Sequence, residues 1–250
     1  MMRLLRSFKS YLCLLALCGC GAFVNFDESP VGKFEGEAVV VWTGGGIESG
    51  EGDGEFLYVP VPGKELRFIR NTSAMISAGN DVIEPGPFYT DGGSVPRWVQ
   101  ALPGFNAWAF GPAYIIHDWL FVVKKCANDE DAGALQNPIS QMEFKESTAI
   151  MAETIQTVAS QYGFPERIAG AGNAITLATG SSISLSRWRE QGACEQQKVT
   201  NPKHVRIIED LQRPRKVKTK SRGFEVLRLP KPADRVDDVP AYRVISTIRF

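Results

Sequence analysis

The chain has 250 residues, with 28 basic and 28 acidic side chains and 44% hydrophobic content. The charge is uneven: residues 20–194 hold 11 basic and 21 acidic groups, and residues 195–250 hold 14 basic and 7 acidic. An acidic body is followed by a basic tail. No CxxC or Cys/His cluster is present, which excludes a zinc site of the usual spacing. About 165 residues of body suffice for one hydrophobic core.

The chain opens with Arg3, Arg6 and Lys9 and no acid. An apolar run from Tyr11 to Leu17 follows, then Cys18-Gly19-Cys20-Gly21. A basic start, a short apolar middle and small residues at the end read as a signal peptide over residues 1–19. The run is too short to span a bilayer. Leu17-Cys18-Gly19-Cys20 resembles a bacterial lipobox. The resemblance implies that Cys20 is the lipid-modified first residue of the mature protein. It also implies a palmitate-bearing lipoprotein anchored in the cell envelope, on the periplasmic side. For an exported chain a nucleic-acid partner is excluded. Residues 20–30 read as a tether, residues 31–192 as one domain, and residues 193–250 as a basic, poorly ordered extension. The core of that extension, Arg213 to Arg222, is suited to anionic headgroups or an envelope partner. Cys126 and Cys194 are the two cysteines of the body, and in an oxidising compartment they are expected to pair.

Within the body, Phe34 to Trp42, Glu55 to Val61 and Glu65 to Arg70 read as strands, the last two parted by Pro62-Gly63-Lys64, and Ala74 to Glu84 has room for another. Gly44 to Gly54 reads as a loop. Pro96 to Leu102 predicts a short helix with Ser94 as N-cap. Pro112 suits the first turn of a helix ending at Lys125. Cys126 to Pro138 reads as a polar loop. Ile139 to Tyr162 predicts a long helix, with Met151, Ile155, Val158 and Tyr162 as its apolar stripe and Gly163 as its stop. Pro165 to Ala178 and Ser181 to Gln191 predict two more. Strands followed by helices give an α+β class, with an antiparallel β part over about 30–90 and a helical part over about 95–190.

The chemistry is concentrated in two blocks, Phe88 to Arg97 and Gly111 to Leu120. From Ala107 to Val123 the chain is apolar apart from His117, Asp118, one tyrosine hydroxyl and two indoles. A helix apolar all round belongs in a core. Buried His and Asp there need partners. Imidazole beside a carboxylate is the commonest general base. Adjacent helical side chains diverge by about 100°, so His117 and Asp118 cannot serve each other. For His117 the candidate acids are Asp91, Glu143, Glu146 and Glu153. For Asp118 the candidate partners are Arg97 or the backbone of the Thr90–Ser94 turn, where Asp91 favours an Asx-type turn and Gly92-Gly93 allows close approach.

The pattern Thr90-Asp91-x-x-Ser94-x-Pro96-Arg97, then His117-Asp118-x-Leu120, then a helix ending near Gly163-Phe164-Pro165, resembles the bacterial and phage family called domain of unknown function 1353. The resemblance covers roughly residues 30–180 and implies a fold and a polar site. Phe110 to Phe121 is also similar to the catalytic helix of bacterial and fungal secreted phospholipases of the A2 type. That likeness implies His117 as base, Asp118 as calcium ligand and a Glu of the 139–162 helix as orienting acid. Tyr114 stands where those enzymes carry a disulfide-bonded Cys. Two functional readings result. In one, an envelope hydrolase uses His117, Asp118 and Asp91 as catalytic groups, with Ser94, Arg97 and Glu153 as binding groups. In the other, a non-catalytic phage-type envelope-binding lipoprotein uses the cluster as scaffold.

Overall fold

The computed structural model describes residues 21–44, 55–93, 102, 105, 108–163, 166–213 and 243–249. Its first half holds strands β1 (Lys33–Glu35), β2 (Glu37–Gly44), β3 (Glu55–Pro60), β4 (Arg67–Ile69), β5 (Val82–Ile83) and β6 (Phe88–Thr90). Helices follow: α1 (Gly111–Asn128), α2 (Ala132–Gln136), α3 (Phe144–Tyr162), α4 (Glu166–Thr179), α5 (Ser182–Trp188), α6 (Cys194–Gln197) and α7 (Pro202–Gln212), then strand β7 (Arg243–Arg249). The class is α+β, as the order of strands and helices implies. Two sheets form, in the orders β1-β4-β5 and β6-β3-β2-β7, and every strand pair is antiparallel.

The single strand expected over Phe34–Trp42 is in fact two strands in different sheets. Gly36 divides them. Its φ is 92°, and a β-carbon there would run into the carbonyl of Glu65. A glycine inside a strand pattern is a signal for such a break.

β2 and β3 bury both faces. Ala38, Val40, Phe56 and Tyr58 point into the main core, where Phe34, Phe68, Ile83, Phe88, Ile116, Leu120 and Ile155 also lie. Val41, Leu57 and Val59 point the other way and are covered by Ile207 of α7, with Ile208 and Leu211 beside it. The unbroken Phe56-Leu57-Tyr58-Val59 run needs such cover on each side. The Tyr89 hydroxyl lies 2.8 Å from His204 Nδ1 and ties β6 to α7.

The extension expected to be poorly ordered over residues 193–250 therefore carries three elements, α6, α7 and β7. α7 closes the outer face of the sheet, and β7 adds a strand to the edge of β2, with Glu37 opposite Arg249 and Val40 opposite Ser246. The physical reason is the second apolar face of β2 and β3. The basic run of residues 214–222 lies outside the described residues.

The tether expected over residues 20–30 is also different. Asn25 caps a short 3-10 helix at Phe26–Glu28, and Phe26 is fully buried in the main core. Gln156 Nε2 donates to the Phe26 carbonyl at 2.9 Å. One aromatic side chain inserted among the helices turns a would-be tether into part of the domain.

The helices start and stop largely where the residues dictate. Pro112 sits in the first turn of α1, and Gly163 ends α3 in the left-handed conformation. α3 begins at Phe144 rather than at Ile139, because Pro138–Gln141 forms a separate 3-10 turn. The loop expected between Cys126 and Pro138 contains α2, capped by Asp131. The short helix expected over Pro96–Leu102 lies outside the described residues, Leu102 excepted.

Candidate functional site

α1 runs through the middle of the molecule, and its two polar residues face different neighbours. Asp118 faces β6. The Thr90 hydroxyl donates to Asp118 Oδ2 at 2.6 Å, and the backbone N–H of Gly92 donates to the Thr90 hydroxyl oxygen at 3.0 Å. Thr90 thus couples the turn after β6 to the helix. Burial raises the Asp118 pKa well above the usual carboxylate range, and the charge of Asp91 raises it further. The Thr90 hydrogen bond and Lys125 pull in the opposite direction. Lys125 is itself paired with Glu190 at 2.9 Å. One turn before Asp118, the Tyr114 ring lies against Gly93, where a β-carbon would stand 2.8 Å from the ring. The Tyr114 hydroxyl is buried without a hydrogen-bond partner among the described residues, and burial together with Asp118 raises its pKa.

His117 faces an aromatic wall. It is 7% exposed. Its ring centroid lies 5.0 Å from that of Phe121, which meets Trp188 edge-on at 5.1 Å. Nε2 is buried with no hydrogen-bond partner among the described residues. Burial lowers the imidazole pKa to about 4, so the ring is neutral at pH 7.

Two of the acids considered for His117 are engaged elsewhere. Arg70, just after β4, donates from Nε to Glu153 Oε2 at 2.9 Å and from Nη2 to Glu153 Oε1 at 2.7 Å. Its Nη1 pairs with Glu146. The remaining contacts complete the set: Arg70 Nη2 donates to the Met75 carbonyl at 2.8 Å, and Ser77 N–H donates to Glu146 Oε1 at 2.9 Å. All three side chains are buried. Burial raises the Glu153 pKa against the pull of Arg70. Glu153 is therefore half of a fork-to-fork ion pair that fastens the three-stranded sheet to α3. It is not a partner of His117, and the reason is that a buried guanidinium competes for the carboxylate. Glu143 is exposed at the start of α3. Asp91 acts on Asp118.

Sequence reasoning missed Arg70. A signal was present: Glu146 and Glu153 are two helical turns apart, beside the buried stripe of α3, and two such carboxylates require a cation.

Cys126 and Cys194 are joined by a disulfide that links α1 to α6 across a separation of 68 residues. Beside it, Asp129 accepts hydrogen bonds from Gly192 N–H at 2.6 Å and Cys194 N–H at 2.8 Å. Cys20, Ser94 and Arg97 lie outside the described residues. Among the described residues no group of three or more His, Cys, Asp or Glu side chains is placed to hold a metal ion. No helix among them is long and apolar enough to cross a membrane. Comparison with known protein families, curated proteins and solved structures finds no match.

Proposed function

We propose that the chain is a lipid-anchored protein of the cell envelope that works by binding, with the His117–Asp118 cluster as scaffold. One observation carries this reading. His117, the candidate base, is buried against Phe121 with Nε2 unpartnered among the described residues, and burial disfavours its protonated form. A general base needs an open path to substrate and a pKa near the working pH. Asp118 is engaged with Thr90, which supports a role in joining β6 to α1. The signal-like start and the Cys126–Cys194 disulfide support export to an oxidising compartment.

Purified protein is offered phospholipid vesicles and peptidoglycan sacculi, with and without calcium. The binding reading expects no product from either. Turnover that disappears in a folded His117→Leu variant would overturn it. Separately, radioactive palmitate is expected to label the wild type and not Cys20→Ser; equal labelling of both would remove the anchor.

A further inference from the structure

Residues 21–26 lie on the domain surface without slack. Gly21 stands one residue after Cys20. The N–H of Ala22 donates to the carbonyl of Gly180 at 2.8 Å. The two backbones approach so closely that a β-carbon on Gly21 would run into the Gly180 carbonyl, and one on Gly180 into the Ala22 carbonyl. Only glycine fits on both sides of this contact. Phe26 then locks the segment into the core. Gly21, the residue after Cys20, is thereby held against the turn between α4 and α5.

Three large apolar side chains are exposed around that point. Phe23 is 75% exposed, Leu177 51% and Ile183 73%. Each lies within three residues of the Ala22–Gly180 hydrogen bond. A single exposed apolar residue is ordinary, but several about one attachment point mark a contact surface. Arg187 on α5 and Arg189 just after it are exposed, which suits anionic headgroups.

We propose that the corner formed by Gly21–Phe23 and the α4–α5 turn is the membrane-contacting face, with the bilayer covering Phe23, Leu177 and Ile183. The proposal rests on the anchored reading above. The lipid holds the domain directly on the headgroups in one orientation. α7 covers the face of the four-stranded sheet opposite the main core, and the proposed orientation leaves it in water.

The test uses the full lipidated protein in vesicles of phosphatidylethanolamine and phosphatidylglycerol. One environment-sensitive fluorophore is attached at Ile183→Cys and, in a second sample, at Lys203→Cys on α7. In the anchored protein the introduced thiol is the free one, since Cys20 is acylated and Cys126 is bonded to Cys194. Ile183 is a surface position, so folding is not at stake. The expected result is a blue-shifted emission at 183 that nitroxide-labelled lipid quenches, with neither effect at 203. Equal, water-like emission at both positions, with palmitate labelling of Cys20 intact, overturns this orientation and leaves the anchored reading standing. Absence of the palmitate label overturns both.

Discussion

The Thr90 hydroxyl donates to Asp118 Oδ2 at 2.6 Å while accepting from the Gly92 backbone. Through this one hydroxyl the end of β6 is fixed to the middle of α1. Replacing Thr90 by Val keeps the volume and removes both bonds. It is expected to cost about 1–3 kcal/mol, the range for leaving a buried polar group without its partner. Urea denaturation at pH 8 measures it. Asp118→Asn works in the other direction. The folded state raises the Asp118 pKa, so it holds that proton more tightly than the unfolded chain does. The stabilisation is complete below the ordinary carboxylate pKa and is lost as pH rises through the raised value. The Asn variant is therefore expected to gain on the wild type between pH 3 and pH 8. A wild type that gains on the variant over that range would refute the assignment.

His117 titrates with the opposite sign. Its pKa falls from an ordinary 6.5 to about 4 on folding. Its contribution is complete above the unfolded value and is lost as pH falls from about 6.5 toward 4, by about 3 kcal/mol. His117→Leu fills much of the same space without a titrating group. In that variant the difference between stability at pH 7 and at pH 4.5 is expected to shrink, as read from melting temperatures in matched buffers. An unchanged difference would show that His117 is not the group lost on acidification.

Arg70 stands between two buried carboxylates. Arg70→Met would leave Glu146 and Glu153 facing each other in the core, and its expected cost is about 3–5 kcal/mol. The triple variant with Glu146→Gln and Glu153→Gln removes the stranded charges and is expected to recover part of that loss. Chemical denaturation of the single and triple variants distinguishes the two. If the single variant were as stable as the wild type, the triad would have no structural weight.

The Cys126–Cys194 bond closes a long loop. Replacing both residues by Ala is expected to lower stability by about 4 kcal/mol in the chain-entropy model. Asp129 still holds Gly192 and Cys194 through their backbone N–H groups, so the local turn should persist. Thermal melts of the wild type with and without reductant give the same comparison without mutation. Melting temperatures equal in both states would contradict the role given to the bond.

Several parts of the fold were legible because they obey short-range rules. The α3 stripe of Met151, Ile155 and Val158, the stop at Gly163 and the Pro112 start of α1 depend on residues three or four apart. The opposite outlook of His117 and Asp118 follows from helix geometry alone. The break at Gly36 was legible in principle, since a glycine inside a strand is a warning, but the run around it reads as one strand. Phe26 reads as an isolated aromatic in a polar stretch; only the helices around it make it a core residue.

The sequence by itself determined the α+β class, the helical register that separates His117 from Asp118, and the acidic body with its basic tail. These are properties of neighbours along the chain. Only the tertiary structure decided that Glu153 and Glu146 belong to Arg70, that α7 and β7 complete the four-stranded sheet, and that residues 21–28 lie on the domain. Glu153 and Arg70 are 83 residues apart, and β7 starts almost 200 residues after the end of β2. Buried charges and two-faced strands demand partners, but a demand for a partner does not say which distant residue meets it.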